Sequence, residues 1–348
     1  METILIGCGS IAGTHAKALK RLGHTVTWVV GRHAAHVEAF AEAYGIPRAT
    51  VDLAEALQSE APVVHICTPP TNHFETIRTC LAAHKHVICE KPLCLSVQEA
   101  EALYAMAEEC GTVTALCLNV RYYPANLEAA RRVRAGEIGR PLLLAGSYLQ
   151  AFHAPPHDDG WRFDPAQAGD QRAISEIGTH WIDLAYAWTG KRVTAVSAAL
   201  GNWYPVRYRK DGKLTTDQSG EPVRVDTEDA AAIALRFEDG AIGTLLLSEL
   251  SRGHFNDLTI EVSGAHGTIR WEEQHPGLLW TADSDTAQDV AYGATERDHT
   301  FDSLFAAVYA AIEGKPHIAY PTFADGLYIA RVCAAIRRSG ETGQWVSV

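Results

Sequence analysis

A glycine-rich turn between the first apolar run and the first amphipathic run places the strongest constraint on the fold of this chain. Residues 7–12, GCGSIA, separate a strand predicted over 3–6 from a helix predicted over 11–22. Glycines at such a turn let backbone N–H groups approach a pyrophosphate at the helix N-terminus. The residues predicted to bind a dinucleotide here are Gly7, Gly9, Ser10 and Ile11. A tight connection with no ligand is the alternative interpretation.

Short apolar runs alternate with amphipathic runs through the first 120 residues, which predicts a doubly wound parallel sheet. Further strands are predicted at 25–30, 63–68, 86–89 and 113–118, and helices at 35–44, 53–57 and 97–109. Beyond residue 120, helices are predicted at 126–135, 177–188 and 323–338, and strands at 192–200, 230–237, 241–250, 258–263 and 268–271. Short turns between these strands favour antiparallel pairing. We therefore predict one domain over 1–120 and a second over 121–348, an antiparallel sheet with helices on one face.

The size and charge of the chain exclude several classes of protein. Its 348 residues exceed what one hydrophobic core of roughly 250 to 300 residues accommodates, so two domains are expected. A formal net charge of −12 without a basic stripe argues against nucleic acid or a membrane surface as a partner. No apolar run approaches the roughly 18 residues that span a bilayer, and the N-terminus lacks a secretory signal. We expect a cytoplasmic protein.

The eight cysteines show no CxxC pair, and most lie in apolar runs of the first domain. This distribution is typical of reduced, buried thiols that pack as small apolar side chains. The ligand spacing of a zinc site is missing. We predict neither disulfides nor a bound metal.

The end of the second strand bears on the choice of cofactor. An acidic residue at this position binds the ribose 2′-hydroxyl in sites that prefer NAD. Here the strand ends in Val30-Gly31-Arg32-His33, without an acid. The Arg32 guanidinium could bind a 2′-phosphate, so the sequence favours NADP over NAD, with His33 beside it. The alternative is a solvated loop arginine.

Three features together resemble the Gfo/Idh/MocA family, the relatives of glucose-fructose oxidoreductase and inositol dehydrogenase. They are the glycine-rich turn followed by His15, the tripeptide Glu90-Lys91-Pro92 at a strand end, and the run EIGTHWID at 176–183. The resemblance extends almost end to end. Thr68-Pro69-Pro70 with His73 resembles the family's strand-end turn beside the cofactor, 119–124 its domain junction, and 326–346 its closing helix.

The resemblance implies an N-terminal Rossmann domain that binds NAD or NADP and a C-terminal α/β domain with an open, mostly antiparallel sheet. Substrates would be sugars, polyols or their keto forms. Homodimers or homotetramers would pair through the C-terminal sheet. The further cofactor contacts that it implies are Thr68, Pro69, Asn72, His73, Glu90, Lys91, Trp161 and Arg162.

Hydride transfer from a carbinol carbon requires a base near the oxygen and donors that stabilise the developing charge. By resemblance, Lys91 hydrogen-bonds the reacting oxygen after a cis Lys91–Pro92 bond, and His180 exchanges the proton. On a helix, Glu176, His180 and Asp183 fall on one face at i, i+4 and i+7. The family usually has Asp four residues before the histidine, where it orients the imidazole, and the resemblance implies this catalytic-site role for Glu176, which stands at that position in this chain. A helix histidine that only pairs with Glu176 is the alternative.

The segment 148–172 is rich in aromatic and hydrogen-bonding side chains, including Asp158, and precedes the His180 helix. Such a loop could recognise a polyhydroxylated ring through hydrogen bonds and stacking. The predicted substrate contacts are Lys91, Arg121, Tyr148, His153, Arg172, His180 and Asp183. A long connection packed on the sheet is the alternative.

These observations predict an NAD(P)-dependent oxidoreductase that acts on CH–OH groups of a sugar, sugar derivative or polyol. Two alternatives from the same family stay open. One is an NAD-dependent glycosidase that cleaves its substrate through transient oxidation. The other is a catalytically silent sensor of cofactor or ligand, which the presence of Lys91 and His180 disfavours.

Overall fold

The computed structural model describes residues 1–155, 160–211, 213–293 and 296–348, and Asp158 lies outside these ranges. The described chain divides into two compact units. The first unit comprises Met1–Tyr122 and Glu296–Ala330, and the second comprises Tyr123–Thr295 and Arg331–Val348. Each unit is therefore assembled from two stretches of the chain.

Helices alternate with strands in the first unit, whereas strands dominate the second. The strands are β1 (Glu2–Ile6), β2 (Thr25–Val30), β3 (Arg48–Thr50), β4 (Val63–Ile66), β5 (His86–Cys89), β6 (Thr114–Leu116), β7 (Pro141–Leu149), β8 (Val193–Gly201), β9 (Val206–Lys210), β10 (Lys213–Thr215), β11 (Glu221–Arg224), β12 (Ala230–Phe237), β13 (Ile242–Ser248), β14 (Asp257–Gly264), β15 (Thr268–Glu272), β16 (Leu278–Ala282), β17 (Ala287–Ala291) and β18 (Val346–Ser347). The helices are α1 (Ser10–Arg21), α2 (Ala34–Tyr44), α3 (Leu53–Leu57), α4 (His73–Ala82), α5 (Val97–Cys110), α6 (Pro124–Arg134), α7 (Pro165–Ala168), α8 (Thr179–Thr189), α9 (Arg297–Ile312) and α10 (Phe323–Thr342). Among the described residues, no helix combines the length and the apolar character needed to cross a membrane.

The first unit is built on a parallel sheet in the order β3-β2-β1-β4-β5-β6. The last residue of β1, Ile6, pairs with Val30 of β2 and with Ile66 of β4. The strand order reverses between β1 and β4, and ligands of such sheets bind beyond the carboxyl ends of the strands at this point. The predicted doubly wound parallel sheet is confirmed.

Helix α9 belongs to the first unit, although the sequence interpretation assigned all of 121–348 to the second domain. Phe301, Phe305 and Tyr309 of α9 are buried in the core of the first unit. The Tyr309 hydroxyl also lies 2.8 Å from Thr3 Oγ1 in β1. The expected division near residue 120 matches the point where the chain first leaves this unit, but it omits the return at 296.

The second unit contains a large sheet in the order β17-β16-β15-β14-β7-β13-β12-β8-β18 and a small one in the order β10-β9-β11. In the large sheet, neighbouring strands pair antiparallel except β7 and β13, which run parallel. The predicted mostly antiparallel sheet is confirmed. The parallel pair brings Leu149 and Ser248 to the same edge of the sheet.

The two faces of the large sheet have different surroundings. On one face, the Trp181 indole N–H of α8 donates to the Thr259 carbonyl oxygen at 3.0 Å. A Cβ at Gly146 would lie 2.3 Å from that indole nitrogen, so glycine permits this close approach of α8 to β7. On the other face, Leu143, Ile242 and Leu246 are exposed.

Candidate active site

The glycine-rich turn connects β1 to α1. Gly7 has φ +111°, and a Cβ there would lie 2.7 Å from the Cys67 carbonyl oxygen, so this position requires glycine. Gly9 is the N-cap of α1; no described side chain caps the helix, and nothing lies within 4 Å of a Cβ built at Gly9. Ser10 and Ile11 follow in the first turn. A helix N-terminus without a side-chain cap and with open space beside Gly9 fits the pyrophosphate of a dinucleotide.

Arg32 and His33 follow β2, at the strand end next to that of β1. Both side chains are exposed, and His33 is the N-cap of α2. Among the described residues, no partner engages the Arg32 guanidinium. The side chain is therefore available to an anionic group at this strand end.

Thr68, Pro69 and Asn72 lie between β4 and α4, and His73 begins α4. His73 is fully buried, with Nδ1 2.8 Å from the Pro92 carbonyl oxygen and Nε2 2.8 Å from the Thr68 carbonyl oxygen. Burial lowers the pKa of His73, although these backbone hydrogen bonds oppose the shift. His73, which we expected beside the cofactor, ties the turn after β4 to the loop after β5.

Glu90, Lys91 and Pro92 follow β5, so they lie at the same edge of the sheet as the glycine-rich turn. Glu90 is buried, and its Oε2 accepts a hydrogen bond from the Lys91 backbone N–H at 3.2 Å. Its Oε1 lies 3.0 Å from His15 Nε2. The Lys91–Pro92 bond is cis, as the resemblance implies. The carboxylate of Glu90 therefore holds the peptide that carries Lys91.

His15, Glu90 and Cys117 bring potential metal-ligand atoms within 4.8 Å of one another. Both ring nitrogens of His15 already lie 3.0 Å from polar partners, Nδ1 from His65 and Nε2 from Glu90. Burial raises the pKa of Cys117 well above its usual range, which disfavours the thiolate that binds a metal. We therefore assign these side chains to a hydrogen-bond network.

Glu176 and His180 lie where a π-helical turn, Ile174–Gly178, passes directly into α8. A π turn closes i to i+5 bonds, so Glu176 and His180 are not spaced as in the regular α-helix that the sequence predicted. Such turns within helices are frequent at functional sites. His180 and Asp183 are both buried in α8.

Arg162 binds Glu176, which the sequence analysis did not foresee. Arg162 Nε donates to Glu176 Oε2 at 3.0 Å, and the guanidinium lies 4.6 Å from the centre of the Trp161 ring. The sequence interpretation placed Trp161 and Arg162 near the cofactor and Glu176 near His180. The structure joins Arg162 and Glu176 in one ion pair within the second unit.

Arg172, which we expected to contact substrate, is fully buried among acidic side chains. Its guanidinium pairs with Asp229 and, at 3.1 Å, with Glu249. It also lies 4.4 Å from the centre of the Phe163 ring. A buried cation needs such partners because its desolvation is costly. Arg172, which we predicted to contact substrate, is therefore part of a buried ion pair. The sequence of the polar loop alone does not distinguish a buried arginine of this kind from one that contacts a ligand.

Glu228 fixes the chain just before the π turn. Its Oε1 accepts backbone hydrogen bonds from Arg172 at 2.9 Å and from Ile174 at 2.8 Å. Burial raises the pKa of Glu228 to about 7, against these hydrogen bonds, and burial also raises the pKa of Glu249. Sequence reasoning missed Glu228 because its partners lie 54 and 56 residues away.

Tyr148 lies near the end of β7, with its ring centre 6.1 Å from that of His180. Its hydroxyl donates to Asn256 Oδ1 at 3.2 Å, and Gln150 Nε2 donates to the same oxygen at 2.5 Å. Asn256 has φ +49°, a left-handed conformation that Asn adopts more readily than most residues. Sequence reasoning missed Asn256, since a single loop asparagine carries no pattern.

The remaining predicted substrate residues lie in different parts of the chain. The His153 ring packs edge-on against Phe163 at 5.0 Å between centres. Arg121 is half-buried in a 3₁₀ turn, Asn119–Tyr122, of the first unit. His153 and Arg121 therefore belong to separate units.

Comparison with known proteins places both units in known families. Residues 1–116 match an oxidoreductase family with an NAD-binding Rossmann fold, and residues 126–270 match the GFO/IDH/MocA C-terminal domain. The chain is 31% identical over 341 residues to levoglucosan dehydrogenase of Pseudarthrobacter phenanthrenivorans, covering 88% of this chain and 85% of that protein. It is 26% identical over 272 residues to myo-inositol 2-dehydrogenase of Thermotoga maritima, covering 77% and 74% respectively.

A solved structure of levoglucosan dehydrogenase in complex with NADH and L-sorbose has the same fold. It superposes with a TM-score of 0.93 at 27% identity, over 100% of this chain and 98% of that one. A parallel Rossmann sheet with an open phosphate turn, followed by a second α/β unit, defines a nicotinamide-dependent oxidoreductase. The chain belongs to the Gfo/Idh/MocA family. The named relatives are dehydrogenases, which favours the oxidoreductase over the glycosidase and sensor alternatives.

Proposed function

We propose that this oxidoreductase transfers a hydride between a nicotinamide dinucleotide and a CH–OH or carbonyl carbon of a sugar, sugar derivative or polyol. The observation that carries the substrate class is the hydrogen-bonded group of Tyr148, Gln150 and Asn256, in which the Tyr148 ring centre lies 6.1 Å from that of His180. Hydroxyl and amide groups both donate and accept, which suits the neighbouring hydroxyls of a sugar ring. The names of the relatives support the same class.

Two side chains carry the protein's part of the chemistry in this proposal. When bound, the nicotinamide accepts or supplies the hydride. Lys91 donates a hydrogen bond to the reacting oxygen and stabilises the charge that develops there. His180 takes the hydroxyl proton during oxidation and returns it during reduction. The position of Lys91 at a parallel-strand end and the burial of His180 support these roles.

The ion pair of Arg162 and Glu176 orients the start of the His180 helix in this proposal. Its 3.0 Å distance and the low exposure of the Glu176 side chain, 11%, support a fixed geometry. Trp161 stacks on Arg162 and would present its ring to the nicotinamide. Asp183, His153 and Arg121 complete the proposed substrate contacts.

A substrate panel tests the function directly. Levoglucosan, L-sorbose and inositols are offered with NAD or NADP, and reduced nicotinamide is followed by its absorbance. Lys91→Ala and His180→Ala should each lower kcat by about 10²-fold or more while cofactor binding persists. The matched controls Lys17→Ala and His275→Ala change exposed side chains and should keep kcat.

Other outcomes of the panel would replace the proposal. An active Lys91→Ala/His180→Ala double variant would refute both catalytic assignments. Release of an aglycone without net reduced nicotinamide would identify a glycosidase. Cofactor binding with no turnover on any substrate would identify a sensor.

We propose further that Arg32 binds a 2′-phosphate, so that the enzyme uses NADP in preference to NAD. Its exposed guanidinium and the lack of an acid at the end of β2 support this. The solved levoglucosan dehydrogenase holds NADH, so the comparisons support NAD binding only. Arg32→Asp should lower the kcat/KM ratio of NADP to NAD by about tenfold or more. Unchanged NADP use in this variant, matched to the exposed control Arg78→Asp, would contradict the preference.

Homodimers or homotetramers through the large sheet complete the proposal. Leu143, Ile242 and Leu246 are 40%, 58% and 47% exposed on one face of β7 and β13. Exposed apolar rows of this kind mark protein interfaces. Ile242→Asp/Leu246→Asp should give a monomer by light scattering, whereas Val51→Asp in the first unit should not. An unchanged oligomer in the double variant would exclude this face.

A further inference from the structure

A continuous chain of buried polar side chains crosses the first unit and ends at Glu90. We call this series of hydrogen-bonded side chains the Glu90 relay; it consists of Thr3, Tyr309, His65, His15 and Glu90. Successive polar atoms are 2.8, 3.1, 3.0 and 3.0 Å apart. Thr3, His15 and His65 have no exposed surface, and Tyr309 is 2% exposed. Neither the phosphate turn nor the proposed chemistry accounts for this chain.

When both histidines are neutral and Glu90 is ionised, the hydrogen bonds of the relay can have only one donor-to-acceptor direction. The Glu90 carboxylate only accepts, so His15 carries its proton on Nε2 and accepts at Nδ1. His65 must then donate from Nδ1 to His15 and accept at Nε2 from the Tyr309 hydroxyl. The Thr3 hydroxyl donates to Tyr309 in turn. Every donor therefore points toward Glu90.

The environment of the relay favours the neutral forms of His65 and Tyr309. Burial holds the pKa of His65 well below its usual range and raises the pKa of Tyr309. The Cys67 thiol, 3.3 Å from His15 Nδ1, also stays neutral because burial raises its pKa. Aligned neutral hydrogen bonds polarise one another in a low dielectric, so the relay stabilises the single anion at its end.

The second carboxylate oxygen of Glu90, Oε2, accepts a hydrogen bond from the Lys91 backbone N–H at 3.2 Å. We propose that Thr3, Tyr309, His65 and His15 are positioning residues for Lys91: they fix the Glu90 carboxylate, which fixes the peptide from which Lys91 projects. The relay stands on its own geometry, whereas its effect on turnover rests on the function proposed above for Lys91.

Nitrogen-15 NMR of histidine-labelled protein tests the direction of the relay without any activity. At pH 7 we expect His15 to be protonated on Nε2 only and His65 on Nδ1 only. The variants His15→Asn and His65→Asn assign the two sets of signals. A His65 protonated on Nε2, or a doubly protonated His15, would overturn the direction of the relay.

Steady-state kinetics test the positioning role. Tyr309→Phe removes one relay hydroxyl and keeps the ring that stacks on His24 at 3.9 Å. We expect kcat to fall about three- to tenfold, since small displacements of a reacting group are costly, while the KM for the cofactor is unchanged. Tyr104→Phe, outside the relay, should leave kcat unchanged. Thr3→Val replaces Tyr309→Phe if that variant does not fold.

The two proposals fail in distinguishable ways. Normal kcat in Tyr309→Phe, together with a large loss in Lys91→Ala, would overturn the positioning role alone. Normal kcat in Lys91→Ala would overturn the function proposed for Lys91, and the positioning role with it, while the NMR result would still decide the direction of the relay.

Discussion

The two units bury titratable groups close to their candidate sites in opposite ways. The first unit joins hydroxyl and imidazole side chains in a series of hydrogen bonds that ends at the Glu90 carboxyl group. The second unit buries a full cation, Arg172, between Asp229 and Glu249. Buried hydroxyl and imidazole groups need hydrogen-bond partners, whereas a buried guanidinium is costly unless carboxylates of opposite charge surround it. We therefore expect the units to respond differently to the loss of one member and to pH.

The largest effect should follow from breaking the ionic group. Arg172→Met leaves Asp229 and Glu249 without their buried cation, which we expect to lower the free energy of unfolding by about 3–5 kcal/mol. Urea unfolding measures this loss. The control Arg78→Met removes an exposed ion pair with Glu75 and should cost less than about 1 kcal/mol. Equal losses in the two variants would remove the contrast between buried and exposed charges.

The pH dependence of the second unit should come next in size. The folded-state pKa of Glu228 is about 7, above the ordinary value of 4.5, so the folded state binds this proton more tightly than the unfolded state. Stability from this group is therefore full below about pH 4.5 and is lost as pH rises through about 7, by up to roughly 3 kcal/mol. Glu228→Gln keeps the acceptor oxygen and should gain stability over wild type between pH 5 and pH 8. An unchanged difference across this range would contradict the raised pKa.

Breaking the neutral relay should have a smaller effect with the opposite pH trend. His65→Leu leaves His15 Nδ1 and the Tyr309 hydroxyl without their relay partner, at a cost of about 1–3 kcal/mol. The lowered pKa keeps folded His65 neutral, while the unfolded chain gains a proton below about pH 6.5. The cost of His65→Leu should be constant from pH 7 to 9 and shrink under acid. Thermal unfolding at several pH values checks this, and a cost that grows under acid would show that folded His65 is charged.

The smallest effect is expected at the far end of the relay. Thr3→Val keeps the shape of the side chain and removes one donor to Tyr309, so the loss should be about 0.5–1.5 kcal/mol. Urea unfolding at pH 7 measures it. A loss as large as that of Arg172→Met would show that the first unit depends on its polar chain as strongly as the second depends on its ions.

Local patterns predicted the first sheet well and some of its helices poorly. The strand-turn-helix sequence over β1 and α1 is continuous in the chain, so its periodicity was readable. The sequence analysis missed helix α4, which begins at His73 directly after a proline-rich turn. Only four of its ten residues are buried, so its apolar face is short. Helix α9 was missed although its aromatic residues complete the first core.

The polar groups around the candidate sites depend on contacts that local patterns do not contain. His15 and His65 are 50 residues apart, and Arg172 and Asp229 are 57 apart. The sequence interpretation placed Arg172 against the substrate, but Arg172 is buried and pairs with Asp229, directly before β12, and with Glu249, directly after β13. The catalytic roles predicted for Lys91 and His180 rest on motifs that resemble those of the family and, for His180, on the helical spacing with Glu176 and Asp183.

The hydrogen bond between Thr3 and Tyr309 joins residues 306 positions apart, so the first unit cannot be completed until α9 has been synthesised. A ribosome makes β1 first and makes α9 only after it has synthesised the whole segment 123–295. Until then His15 and His65 lack the rings of Phe301 and Phe305 that pack on them. The nucleotide-binding core of the first unit therefore stays incomplete until most of the second unit has been made, and a chain that stops before 297 leaves this core open.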